Sequence, residues 1–198
     1  MRCTSRWQLG VLALAFSGNV FAGPFEDADT AYQRGDYSAA MESLIPLAEQ
    51  GDLRAQVNLG TINYSLAQPD YEEAAKWFRL AAAQGDVQAE RYLGYMYSHG
   101  QGVARDDKEA VKWYGRAAEQ GDADAQADLA GMYSAARGTS QNYVQAHKWF
   151  NVAASRYPAS ERTKRAEALR NSERLAEKMS PSQIEEAKRL AREWQPKS

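Results

Sequence analysis

The sequence predicts an all-α chain, an α-solenoid of stacked antiparallel helix pairs, and three observations carry that reading. The stretch Ala110 to Asp122, AVKWYGRAAEQGD, recurs as AAKWFRLAAAQGD from Ala74 and as AHKWFNVAASRYP from Ala146. Its Lys-Trp-aromatic triplets begin at Lys76, Lys112 and Lys148, a fixed spacing of 36 residues. A period of that size marks hairpins that can bury their apolar faces only against their neighbours. Upstream of each triplet lies a second helical pattern, AQVNLGTIN from Ala55, AERYLGYMY from Ala89 and AQADLAGMY from Ala125, with Leu59, Leu93 and Leu129 equivalent. Apolar residues at i, i+4 and i+7 make each an amphipathic helix. Start and stop signals recur in register as well.

Residues 1–22 read as a signal peptide. Arg2 and Arg6 form a basic start, Leu9 to Phe16 an apolar run, and Val20-Phe21-Ala22 a cleavage site. The run is far shorter than the roughly 20 residues a membrane span needs, so stable membrane insertion is not expected. The expected location is therefore periplasmic or secreted, after cleavage near Ala22. Cys3 is the only cysteine, which leaves the mature chain without disulfide, thiolate nucleophile or sulfur ligand.

Residues 23–51 read as a degenerate N-terminal capping hairpin. Ser43 and Leu44 stand where the next unit has Trp77 and Phe78, and Pro46 is expected to kink or shorten its second helix. Residues 52–158 hold three complete units, each a helix A and a helix B. Gly60 and Gly94 sit beside the apolar stripe of helix A, with Ala130 in the third unit. Glycine costs a helix about 1 kcal/mol against alanine, so its recurrence suggests close helix approach.

Helix B starts at Asp70-x-x-Glu73, Asp106-x-x-Glu109 and Asn142-x-x-Gln145. Each offers an acceptor for exposed backbone N–H groups and a reciprocal acceptor three residues on. Gly51, Gly85 and Gly121 take the left-handed exit position, and Asp52, Asp86 and Asp122 cap the next helix A. Residues 159–198 read as a C-terminal capping helix pair, in which Ser180-Pro181-Ser182-Gln183 opens the second helix. Ile184, Ala187, Ala191 and Trp194 are its expected buried face.

Unit two carries Ala89, Leu93, Gly94, Tyr97, Gly100, Gly102, Val103, Asp106, Ala110, Trp113, Tyr114, Ala117, Ala118 and Gly121. This set, A-x-x-x-L-G-x-x-Y then G-x-G-V-x-x-D then A-x-x-W-Y-x-x-A-A-x-x-G, resembles the Sel1-like repeat, a relative of the tetratricopeptide repeat. The resemblance covers roughly residues 52–158. Unit one departs at Asn63 and in its loop, and unit three at Ala130 and Ala136, which leaves the loop conformation open there. The resemblance implies a right-handed superhelix acting as an adaptor for other proteins. Exported members of that family take part in bacterial envelope processes, and some resemble immunity proteins that neutralise phospholipase-type effectors in the periplasm.

The chain has 198 residues, 44% hydrophobic and 25% charged, with a formal net charge of -2. Acidic side chains outnumber basic ones through residue 160 and the balance reverses beyond it, which argues against nucleic acid as the main ligand. His99, read as a loop residue, and His147, inside helix B, are the only histidines, and no ligand spacing joins them into a metal site. No nucleophile, base and oxyanion donor converge, so neither an enzyme nor a cofactor is expected. Carboxylate pairs such as Asp106-Asp107 open helices, where they complement the dipole. Trp77, Trp113 and Trp149 read as core.

The positions of helix A that lie off its apolar stripe are Asn58, Thr61, Arg91, Tyr92, Tyr95 and Asp128. In stacked hairpins the A helices line the concave surface, where tyrosine and arginine supply hot-spot chemistry. These six are the candidate binding residues for a protein partner of the bacterial envelope, in a patch centred on Arg91 and Tyr95.

Overall fold

The computed structural model describes residues 23–197, so the signal peptide expected at 1–22 lies outside the described residues. Ten α-helices and no strand are found among the latter: α1 (Pro24–Gln33), α2 (Tyr37–Glu49), α3 (Leu53–Ser65), α4 (Tyr71–Ala83), α5 (Val87–His99), α6 (Asp107–Glu119), α7 (Ala123–Ala135), α8 (Tyr143–Arg156), α9 (Arg162–Ala176) and α10 (Pro181–Glu193). The first eight pair as hairpins α1/α2, α3/α4, α5/α6 and α7/α8, each B helix packing in turn on the next A helix. The chain is thus an all-α solenoid of stacked helix pairs. Its last two helices both pack on α8 and make little contact with each other.

Each helix start has a visible cause. Asp52, Asp86 and Asp122 accept from the N–H groups of Ala55, Ala89 and Ala125 at 2.9, 2.7 and 2.7 Å. Asp70, Asp106 and Asn142 likewise cap the B helices through Glu73, Glu109 and Gln145 at 3.0, 3.1 and 3.0 Å. The reciprocal half of the expected capping box does not form at these three sites. The N–H groups of Asp70, Asp106 and Asn142 donate instead to the carbonyls of Asn63, Tyr97 and Tyr133 near the end of helix A. Glu73 and Glu109 are thereby released to Lys76 and Lys112. At Ser180, with no such carbonyl competing, the box closes in both directions.

Pro46 neither ends nor shortens α2, which has the same 13 residues as α3 to α7. Pro46 and Glu42, whose carbonyl loses its intrahelical donor, both lie on the exposed face, so the orphaned carbonyl is open to water rather than buried. Leu44, in the place of Phe78, is 1% exposed and serves as the core residue of the first hairpin.

The glycines beside the helix A stripe mark the closest packing. A Cβ on Gly60 would lie 2.6 Å from the Phe78 ring, and one on Gly94 2.7 Å from the Tyr114 ring. Hairpins α3/α4 and α5/α6 therefore each seat an aromatic ring from helix B directly on the backbone of helix A. The loops are built the same way. Gly102 lies so close to the start of α4, and Gly138 to the start of α6, that a side chain at either would overlap the Tyr71 or Asp107 carbonyl. Ala136 holds the left-handed backbone that Gly100 holds one unit earlier, with φ 55° against 69°, so the third loop keeps its shape despite the substitution.

Trp77 and Trp149 are core, 5% and 3% exposed. Trp113 is only half-buried, its ring lying under the Arg116 guanidinium at 4.9 Å and the Lys112 ammonium at 5.6 Å. Of the four residues expected to be buried in the last helix, only Ala187 is fully so. Ile184, Ala191 and Trp194 pack at the edge of the core.

One buried polar position recurs in all three repeats. Gln56 and Gln126 donate through Nε2 to the carbonyls of Ala48 and Ala118 at 3.0 and 2.9 Å, tying helix A to the preceding helix B. The middle unit has Glu90 there, fully enclosed, and an ionised carboxylate has no proton to donate. Arg116 fills the gap: its Nη2 donates to the Ala82 carbonyl at 3.2 Å and lies 2.6 Å from Glu90 Oε1. Gln120 donates to the other oxygen at 2.8 Å. Burial nonetheless raises the Glu90 pKa, with Arg116 opposing.

Candidate functional site

The A helices α5 and α7, continued by α9, wall an open groove of about 590 Å³. Three of the six expected residues line it: Arg91 and Tyr95 from α5, and Asp128 from α7. Asn58 and Thr61 belong to a smaller cleft of about 210 Å³ between α1 and α3, with Phe25, Tyr32 and Arg54. Tyr92 lines neither. It is half-buried and stacks flat on Phe78, centroids 4.6 Å apart, with Tyr64 at 5.0 Å. One residue is a turn of about 100° on a helix, and that carries position 92 away from the groove and onto α4.

Arg91 is held in place rather than free. Its Nε lies 3.4 Å from Asp122 Oδ2 and its guanidinium 5.0 Å from the Tyr92 ring centroid. Asp122 thus has two tasks, since it also caps α7. Tyr95 is the most exposed large hydrophobic side chain of the groove, at 37%. It stacks on His99 with centroids 4.0 Å apart. His99 is the last residue of α5 and not a loop residue, and its Nδ1 sits 2.9 Å from the Tyr95 carbonyl and 2.7 Å from Ser98 Oγ. A rigid aromatic shelf results. His147, by contrast, is in the core beside Asn151 and Ser172, and its pKa is lowered by burial. No group of three or more potential metal ligands occurs among the described residues.

Asp128 is open to solvent on one side and forms no salt bridge among the described residues, although charge surrounds it. Desolvation against the groove wall pushes its carboxyl up to about 6, with Asp124 and Asp122 adding to the shift and Arg91 opposing it. Asp124 is already satisfied by the Tyr157 hydroxyl at 3.0 Å and the Lys164 ammonium at 3.2 Å. Tyr157, Lys164, Glu167 and Asn171 form the far wall. Sequence reasoning missed Lys164, Glu167 and Asn171 because α9 lies outside the repeat register.

Arg137 also lines the groove. It donates to Asp107 at 2.7 and 3.3 Å and to the Ser98 carbonyl at 3.1 Å, bridging two repeats. Hydrogen bonds from Arg137 and Arg105 hold the Asp107 carboxyl down at about 2. Asp107 is therefore an inter-repeat clasp as well as a first-turn carboxylate.

Among known proteins, the Sel1 repeat model matches residues 53–86, 87–122 and 123–157. A protective antigen of uropathogenic Escherichia coli strains with an SLR fold is 32% identical, with a TM-score of 0.69. That alignment covers 79% of this chain and 32% of the antigen, so the chain spans about a third of that protein's length. A Sel1 repeat protein from Oxalobacter formigenes is also 32% identical, with a TM-score of 0.53 over 64% of this chain and 96% of that one. A search of curated proteins returns no match. The repeats, their register and the fold agree, and the chain belongs to the Sel1 repeat family.

Proposed function

We propose that this Sel1 repeat protein is an exported adaptor that holds a segment of another envelope protein in the groove of α5, α7 and α9. Sel1 repeat proteins are in general scaffolds that bind other proteins, and no helix among the described residues is long and apolar enough to cross a membrane. The observation that carries the reading is the presence in one groove of Tyr95, exposed and stacked on His99, and Asp128, a carboxylate with no salt-bridge partner among the described residues. A lysine or arginine of the incoming segment would place its charge on Asp128 and its aliphatic stem on the Tyr95 ring. Arg91, fixed by Asp122, presents a cation without having to be ordered first.

Export is supported by the basic start, apolar run and small-residue site of residues 2–22. Mass analysis of protein from the periplasmic fraction is expected to find Gly23 as the first residue. For the groove, Arg91→Ala with Tyr95→Ala is expected to weaken capture of a specific partner from envelope extract while far-ultraviolet circular dichroism stays helical. Unchanged capture would remove the groove from consideration. Partner affinity is also expected to fall as pH drops through about 6, because Asp128 is then neutralised.

A further inference from the structure

The opposite, B-helix face carries a feature that partner binding in the A-helix groove does not use. Every repeat places a lysine over its own tryptophan: Lys76, Lys112 and Lys148 lie 5.0, 5.6 and 3.9 Å from the ring centroids of Trp77, Trp113 and Trp149. In the first two repeats a glutamate three residues earlier neutralises the lysine, Glu73 at 2.9 Å and Glu109 at 3.2 Å. The third repeat has Gln145 at that position, and Lys148 forms no salt bridge among the described residues. It is also half-buried, and desolvation lowers its pKa.

Lys148 borders an open cleft of about 480 Å³ between α6 and α8, and Lys112 and Lys197 face the same space. The two carboxylates on its wall already have partners. Glu90 is held by Arg116 and Gln120, and Glu119 lies 3.3 Å from Lys197 Nζ. The backbone N–H of Lys197 donates to the Glu119 carbonyl at 2.8 Å, which fixes the C-terminal segment along this edge. Lys112 is likewise paired, with Glu109, so among the described residues Lys148 is the one cation on the cleft without a carboxylate, with a flat indole beneath it and the Gln145 amide at the rim.

We propose that this cleft binds a phosphoryl group, with Lys148 as its principal contact and Lys112 and Lys197 as flanking cations. Ammonium groups bind phosphate as point charges; Lys148 supplies the charge that no carboxylate holds, and Lys112 and Lys197, in solvent-exposed and hence weakly held pairs, can turn toward a dianion beside it. The phosphoryl group can come from a free phosphate ester or from the headgroup of an anionic phospholipid.

The test titrates the purified chain with inorganic phosphate, following backbone amide shifts at Lys112 and from Gln145 to Trp149. In parallel, the chain is sedimented with phosphatidylglycerol vesicles and with phosphatidylcholine vesicles. Saturable shifts with phosphate that weaken about tenfold or more in Lys148→Met, are largely restored in Lys148→Arg and are unchanged in Lys76→Met would establish a site for soluble phosphate. Binding confined to phosphatidylglycerol vesicles, with the same variant pattern, would establish a headgroup site. The methionine variant keeps the apolar stem over Trp149, so the fold is retained. Absence of saturable binding to either probe, or equal binding by Lys148→Met and the native chain, would overturn the proposal.

Discussion

Gly94→Ala is a single methyl group set against the inter-helix seam. A Cβ at Gly94 would lie 2.7, 2.8 and 2.9 Å from three carbons of the Tyr114 ring, where ordinary contact is about 3.5–4.0 Å. The ring would have to withdraw by about 1 Å from a site in which it is only 2% exposed, given the usual contact distance. Overpacking of that kind costs about 1–3 kcal/mol, while alanine returns about 1 kcal/mol of helix propensity.

The expected net loss is thus about 1 kcal/mol. Ala130 shows why it is not larger: the third repeat carries a methyl group there, and its aromatic partner Phe150 is 7% exposed where Phe78 is 0%. Gly115 and Gly131 supply the control, since a Cβ at either meets nothing within 4 Å and alanine there should stabilise by about 1 kcal/mol. Urea unfolding followed by circular dichroism measures all four variants, with Gly60→Ala expected to behave like Gly94→Ala. If alanine at 94 and at 131 changed stability in the same direction, the close-approach argument would be wrong.

Glu90→Gln restores the amide that Gln56 and Gln126 use, and it is expected to stabilise the chain at pH 7 by about 1 kcal/mol. Because burial raises the Glu90 pKa in the folded state, the destabilisation it causes is absent below the unfolded value and grows as pH rises. Melting curves should therefore show the gain at pH 7 and lose it in acid. Arg137→Ala acts in the other direction. Asp107 titrates at about 2 when folded, so its contribution is present above the unfolded value of roughly 4 and is lost as pH falls toward 2. After allowance for screening, the variant is expected to lose about 1 kcal/mol at pH 7. That difference from the native chain should shrink through the acid window in pH-dependent denaturation.

The repeat architecture was legible because its signals are local and redundant. A Lys-Trp-aromatic triplet, a capping residue and an exit glycine recur in register, and each reports on its own turn of helix. The capping box was over-read because Glu73 and Glu109 are visible in the sequence, whereas the competing carbonyls of Asn63 and Tyr97 become visible only once helix A folds back. Of the expectation that Pro46 would kink or shorten α2, the shortening failed for a similar reason: the effect of the proline on helix length depends on whether the orphaned carbonyl faces water.

Half of the expected patch lines the groove. Tyr92 was grouped with Arg91 and Tyr95 by exclusion from the apolar stripe, yet its ring direction is fixed by Phe78 on a neighbouring helix. The wall from Lys164 to Asn171 had no sequence signal, because α9 follows no repeat and its contribution arises only from packing on α8.

A photoreactive residue at position 95, on the A-helix face, and another at position 76, on the B-helix face, would separate the two surfaces in intact cells. The account predicts a discrete covalent adduct with one partner protein from position 95 and none from position 76. Adducts from position 76 with none from position 95 would contradict it.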